Sequence, residues 1–302
     1  MIRTLLKVCA ALCLVLLCLP FQAARADFVL VENFEGLVLG PIDEQNQWNA
    51  AHDTSVVTLD PSGGTNRVLA VTTDSTHLYR PATILNDTIR MMFVRFRFGG
   101  QQNYSFGLSD NMHPDQFGHF EVELSMTNAS NELRINDDGQ YEELGMLVPG
   151  TWYNVWLLVN NVTDQTQIYL HDRPGDDATA ADLLEVEGQT AFAFRDGSAG
   201  DLVTFFIKTG GGSGPSGPLY LDDIYIEDTD GLNLYNPAAE PACAADVNQD
   251  GYTDLADLAI LLSAYGSSIG DPAYNPQVDF DADGTVGLAD LSFLLADYGC
   301  GT

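Results

Sequence analysis

A chain of 302 residues is long enough for two domains with a sizeable core. Its 43 acidic residues against 12 lysines and arginines leave a formal net charge of −31. That balance repels phosphate backbones and anionic bilayers, and so excludes nucleic acid and membrane surfaces as expected partners.

Residues 1–26 read as a secretory leader. Arg3 and Lys7 form a basic start, 5–19 is apolar, and Ala24-Arg25-Ala26 is a small-residue cleavage site. The apolar run is short for a bilayer span. The mature protein is therefore expected outside the cell, starting at Asp27 and without a membrane anchor. The leader holds three cations (Arg3, Lys7, Arg25) and no acid, so its loss carries the charge from −31 to −34. Lys208 is then the only lysine.

Residues 27–230 read as all-β. Short apolar or alternating runs recur between Gly, Asn, Asp and Pro clusters, with no long helical period. Strands are predicted over 28–32, 68–72, 91–98, 104–108, 119–126, 153–159, 167–171, 202–208 and 219–226. So many short strands imply a sandwich or barrel. The phrases VENFEG (31–36), PGTWYNVWLLV (149–159) and LYLDDIYIED (219–228) resemble the concanavalin A-like, laminin-G-like jelly rolls of secreted carbohydrate-active proteins. The resemblance implies a β-sandwich whose first and last strands lie side by side. It also implies a candidate structural metal site, with Glu35 near Asp222 or Asp223.

Alternation sorts side chains by face within each strand. In 92–98, Met92, Val94, Phe96 and Phe98 point one way and Arg95 and Arg97 the other. In 119–126, Phe120, Val122, Leu124 and Met126 form the apolar set, opposite His119, Glu121, Glu123 and Ser125. If the polar sets share a sheet face, Arg95, Arg97, His119, Glu121 and Glu123 make a candidate ligand face for a carbohydrate or uronic acid. The same residues would also suit a cross-strand salt-bridge ladder. Trp48, Trp152 and Trp156 suit the core of a sandwich, or a platform for a sugar.

Catalytic motifs are sparse. The acids of 121–126 do not form the E-x-D-x-x-E strand of laminarinase-like glycosidases, and neither a nucleophile elbow nor an H-E-x-x-H helix occurs. The expectation is a domain that binds glycan and does not cleave it. The competing reading is a polysaccharide lyase or glycoside hydrolase, and a third is a structural surface protein.

Residues 231–242, with Pro237 and Pro241, read as a linker. After it one unit occurs twice, at a shift of 33 residues: DVNQDGYTDLADLAILLSAYG from Asp246 and DFDADGTVGLADLSFLLADYG from Asp279. Oxygen-bearing side chains at alternating positions, then an amphipathic helix, suit a hard cation with many oxygen ligands, which is calcium. Loop positions 1, 3, 5, 9 and 12 hold Asp246, Asn248, Asp250, Asp254 and Asp257 in the first copy. In the second they hold Asp279, Asp281, Asp283, Gly287 and Asp290. Gly251 and Gly284 fall at the sharp turn, and Tyr252 and Thr285 at position 7, which supplies a backbone carbonyl. Position 12 is Asp where an ordinary EF-hand has Glu, and no helix precedes either loop. The helices should bury stripes at Leu258, Leu261, Leu262, Tyr265 and at Leu291, Leu294, Leu295, Tyr298.

Two loop-plus-helix units with Asp at position 12, over 243–302, resemble a type I dockerin. The resemblance implies two bound calcium ions and a cohesin-like protein as partner. Positions 10 and 11, Leu255-Ala256 and Leu288-Ala289, depart from the Ser/Thr-type recognition pairs of many cellulosomal dockerins. Cys9, Cys13 and Cys18 leave with the leader. Cys243 and Cys300 remain, bracketing the repeat, and are expected to form a disulfide in an oxidising compartment.

Overall fold

The computed structural model describes residues 28–300 apart from 54, 73–75, 101–102, 128–129, 198–199, 211–216, 240–242 and 249–251. The leader therefore lies outside the described residues. So do Asp250 and Gly251 of the first loop. The chain divides into two compact units. One comprises residues 28–172 and 178–234, the other Arg173–Asp177 and the residues from Tyr235 onward.

The first unit is mainly β. Among the described residues its strands are β1 (Phe28–Glu32), β2 (Gly40–Pro41), β3 (Asn49–Ala50), β4 (Ser55–Leu59), β5 (Arg67–Val71), β6 (His77–Ile84), β7 (Ile89–Phe98), β8 (Tyr104–Ser109), β9 (Val122–Met126), β10 (Glu132–Asp137), β11 (Gln140–Met146), β12 (Trp152–Asn160), β13 (Gln165–His171), β14 (Phe192–Ala193), β15 (Leu202–Thr209) and β16 (Leu219–Glu227). They form two antiparallel sheets. The nine-stranded sheet runs β14-β13-β12-β7-β16-β5-β4-β2, with β1 also paired to β16; the seven-stranded sheet runs β11-β10-β9-β8-β15-β6-β3. The first and last strands thus lie side by side, consistent with a jelly-roll sandwich.

Strand alternation builds the core. Met92, Val94, Phe96 and Phe98 of β7 meet Phe106 and Leu108 of β8, Val122 and Leu124 of β9, and Phe205 and Ile207 of β15 in one buried cluster. In β16 the alternation breaks. Leu219 and Leu221 face this core, and so do Ile224 and Ile226. The register slips between Asp222 and Tyr225, and Asp223 takes φ +51°. A bulge of this kind sets two residues against one, and it puts both aspartates on the outer side of the sheet.

Charge also enters the interior. Glu32 of β1 and Arg80 of β6 are both buried, with Arg80 Nη1 2.6 Å from Glu32 Oε2. β1 belongs to the nine-stranded sheet and β6 to the seven-stranded one, so this pair joins the two layers. Glu32 Oε2 also accepts from Asn46 Nδ2 (2.9 Å) and Trp48 Nε1 (3.1 Å), and Oε1 from the backbone of Asn33 and Phe34. Trp48 is 1% exposed, stacks on Phe34 and meets Phe205 edge-on.

In the second unit, α1 (Leu255–Ala264) and α2 (Leu288–Asp297) pack around Ala245, Leu261, Ala264, Val278, Val286 and Leu294. Only part of each predicted stripe is buried. Leu261 and Leu294 are fully inside, whereas Leu262 and Leu295 are both 53% exposed, and Tyr265 and Tyr298 are exposed beside them. A unit this small lacks the interior volume to bury the whole stripe. Cys243 and Cys300 form the expected disulfide, with Cα atoms 5.5 Å apart.

Replacing Glu32 with Ala would strand the Arg80 guanidinium in the core. The expected cost is about 3–5 kcal/mol, read as a lowered urea midpoint of the sandwich. Glu32→Gln, which keeps an acceptor, should lose less. Equal stability of wild type and Glu32→Ala would show that the pair does not hold the layers.

Candidate functional site

The second loop closes on itself through hydrogen bonds to carboxylates. Asp279 Oδ2 accepts from the Gly284 N–H (3.0 Å) and the Tyr274 hydroxyl (2.5 Å). Asp281 Oδ1 accepts from the Asp283 N–H, and Asp283 Oδ1 from the Thr285 N–H and hydroxyl. Gly284 has φ +88°, the left-handed turn for which glycine is suited. The result is a set of ligand oxygens on Asp279, Asp281 and Asp283 that lie within 4.8 Å of one another. Asp279 is only 9% exposed, and its Oδ1 is buried with no hydrogen-bond partner. A buried carboxylate oxygen left unsatisfied beside further carboxylates is costly, and a cation there would offset that cost.

Asp290, at position 12, fastens the loop to its helix. Its Oδ1 accepts from the N–H of Phe280 and Asp281, and its Oδ2 from that of Gly287. Asp257 does the same in the first loop, taking the N–H of Val247, Asn248 and Asp254 at 2.8, 3.1 and 2.9 Å. Each carboxylate oxygen has two lone pairs, so these bonds leave capacity for a metal. Burial raises the Asp257 pKa, but the backbone donors of Asp254, Asn248 and Val247 outweigh it and hold the pKa below the usual range. The hydrogen bond to Asp279 pushes the Tyr274 hydroxyl up to about 12. The donor set, all oxygen and mostly anionic, fits calcium. Asp279, Asp281, Asp283 and Asp290 would hold the ion in the second loop, and Asp246, Asn248, Asp254 and Asp257 supply the described part of the first.

The candidate ligand face does not assemble as expected. Arg95 and Arg97 lie on β7 of the nine-stranded sheet, whereas Glu123 lies on β9 of the other sheet. Glu121 precedes β9, and His119 ends a 3-10 turn, Phe117–His119. Alternation assigns faces within a strand but carries no information on which sheet the strand joins. Arg95 instead contacts Asp223 (3.0 Å) and Asp222 (3.7 Å) and lies over Trp152. Arg97 donates to the Gly150 carbonyl and covers Tyr220. His119 Nδ1 accepts the Asp115 N–H. Trp156 is buried against Phe93 and His171 on the outer side of its sheet.

The candidate metal set of Glu35, Asp222 and Asp223 does not converge either. Glu35 accepts the Arg67 N–H and Asp222 the Asn66 amide. Among the described residues, Asp279, Asp281 and Asp283 are the only three acids, histidines or cysteines whose ligand atoms gather so closely. Burial, then the neighbouring Asp223 charge, pushes Asp222 up to about 8.

In the seven-stranded sheet, Glu123 is fully buried at the centre of a polar network. It accepts from Ser105 Oγ (2.8 Å), Tyr141 Oη (2.8 Å), Asn136 Nδ2 (3.2 Å) and Arg195 Nη1 (2.6 Å). Arg134 lies over the Tyr141 ring at 4.6 Å. These partners come from β8, β10, β11 and a loop, and nothing in the local pattern around Glu123 names them. Glu121 is 6% exposed, and its Oε2 is buried without a partner. Burial, then the charge of Asp110, pushes its pKa up to about 7. Arg95 and Arg97 therefore do not hold Glu121 and Glu123 ionised, because they stand in the other sheet.

No family model matches the sequence, and no curated protein matches it. Solved structures with a similar outline include a sialidase, at 13% identity and TM-score 0.49 over 68% of this chain, which spans 19% of that protein. The catalytic domain of a glycoside hydrolase family 131 protein from Coprinopsis cinerea is similar at 13% identity and TM-score 0.46, covering 71% of this chain and 99% of that one. The carbohydrate-binding module CBM66 from Bacillus subtilis is similar at 9% identity and TM-score 0.37, covering 60% and 96%.

A raised pKa at Glu121 has a signed consequence. The unfolded carboxyl ionises near 4.5 and the folded one near 7, so the folded state holds the extra proton between them. Its contribution to stability is full below pH 4.5 and is lost as pH rises through 7. Glu121→Gln, which resembles the protonated form, should gain stability relative to wild type from pH 4.5 to 7. Urea midpoints of the two proteins at pH 4, 6 and 8 check this; a constant difference would refute the shift.

Proposed function

We propose that this is a secreted, calcium-loaded protein in which a glycan-binding β-sandwich is attached to a partner through a dockerin-like C-terminal unit. The observation that carries the reading is the second loop, where Asp279 Oδ1 is buried and unpartnered beside the oxygens of Asp281 and Asp283. The first loop repeats its position-12 clasp 33 residues earlier. The disulfide suits an oxidising compartment. Exposed apolar side chains recur at matching places in the two repeats, Leu255 with Leu288, Leu262 with Leu295 and Tyr265 with Tyr298. Such a doubled surface suits a protein partner of the cohesin type. On the sandwich, Tyr141 is 37% exposed, with Arg134 and Arg195 around it. An aromatic ring edged by donors suits a sugar.

Calcium binding to crowded carboxylates should stabilise the unit that carries them. Calorimetry on the metal-stripped full chain is expected to find two calcium ions per molecule, and Asp281→Ala one. Absence of binding, or equal affinity for magnesium, would defeat the assignment.

A second reading, polysaccharide cleavage, is favoured by one observation: Glu121 titrates near 7, where a general acid works best. The sandwich is expected to retain polysaccharide on an affinity gel without releasing reducing ends or unsaturated uronides. Turnover that vanishes in Glu121→Gln would replace binding with catalysis.

A further inference from the structure

We infer that the Cys243–Cys300 disulfide sets the calcium affinity of the first loop and leaves that of the second nearly unchanged. This rests on the calcium reading above, and the geometry that carries it is an asymmetry between two otherwise matching repeats.

Each loop is braced at position 8 by the strap that follows the helix of the other repeat. In the second loop, the Val286 N–H donates to the Ser267 carbonyl (2.9 Å) and the Val286 carbonyl accepts the Gly266 N–H (2.8 Å). In the first loop, the Thr253 N–H donates to the Cys300 carbonyl (3.1 Å) and the Thr253 carbonyl accepts the Gly299 N–H (2.9 Å). Ser267 and Cys300 are equivalent under the 33-residue shift. The covalent routes differ. Ser267 leads by continuous main chain into Asp279, and the Ile269 N–H adds a bond to the Gly284 carbonyl (3.0 Å). Gly299 and Cys300 reach the first loop by main chain only through the entire unit. The disulfide shortens that path to the two residues between Cys243 and Asp246.

The bridge also touches the other end of the first loop. The Asp246 N–H donates to the Cys243 carbonyl (3.2 Å). One covalent link therefore fixes the loop's entry at Asp246 and its brace at Thr253. Without it, the strap is held by hydrogen bonds alone, including those that Asp297 Oδ2 accepts from the Ala245 N–H and the Thr253 hydroxyl. Both cysteines are half-buried and open to a small reductant. A dithiol would cleave the S–S bond, supply two electrons and two protons to make two thiols, and leave as its own disulfide. The first site would then have to order its brace on each binding event, which costs loop-closure entropy.

The test uses full chains with one loop disabled, titrated with calcium against a chromophoric chelator. With the second loop disabled by Asp281→Ala, replacing both cysteines with serine should raise the dissociation constant of the remaining site at least about tenfold; with the first disabled by Asp246→Ala, the same replacement should change it by less than about twofold. Equal shifts in both chains, or no shift in the first, would overturn the inference. If neither chain binds calcium with its cysteines intact, the calcium reading itself fails, and this inference with it. Calcium release from the wild-type chain on chelator mixing, before and after dithiol treatment, guards against misfolded variants. One of its two phases should accelerate, and acceleration of both alike would count against the asymmetry.

Discussion

The sandwich depends on a buried charge pair that crosses from one sheet to the other. Glu32 and Arg80 sit in different sheets, and between them they tie β1, β6 and the segment around Trp48 into one buried node. Removing two charges from water is expensive. Here the cost is offset because every acceptor direction of Glu32 is used by Arg80, Asn46, Trp48 and two backbone N–H groups. The pair also specifies how the layers meet, since a sliding of one sheet over the other would separate a carboxylate from its donors inside an apolar core.

The same logic of buried acids, satisfied or left wanting, distinguishes the places where function is proposed. Glu123 is saturated by four donors and behaves as a structural centre for the seven-stranded sheet. Glu121, close by in sequence, keeps one oxygen without a partner and holds its proton to about pH 7. Asp279 also keeps an unpartnered oxygen, but beside the carboxylates of Asp281 and Asp283 in one tight loop. A proton answers the first deficit. A multivalent cation, as proposed above, would answer the second, because ligand oxygens of three acids lie within 4.8 Å of one another.

The second unit reaches stability by a different route. Its core is six small or medium side chains, and much of its helix surface faces solvent. Position-12 aspartates clasp each loop to its helix, position-8 residues bind each loop to the opposite repeat, and the disulfide closes the circle. These are local, directional contacts, and they compensate for a hydrophobic core that 60-odd residues cannot make large.

Sequence alone determined what depends on spacing along the chain. Alternation placed Met92, Val94, Phe96 and Phe98 on a core face, and the 33-residue repeat located both loops, both helices and the cysteines that bridge them. It could also have shown the β10–β11 hairpin, whose Asp138-Gly139 turn has φ of +50° and +79° and is a strong hairpin signal. The strand β6 was hidden because inward-facing Arg80 interrupts its apolar rhythm. The tertiary structure alone decided what depends on which strands become neighbours: that Arg95 and Arg97 lie a sheet away from Glu121 and Glu123, that Arg195 and Tyr141 join Ser105 and Asn136 as donors to Glu123, and that Glu32 is the buried acid that joins the two sheets. Periodicity is a property of one strand, whereas a site in a sandwich is made by non-local pairing, and hydrophobic burial sets that pairing without regard to the polar side chains it brings together.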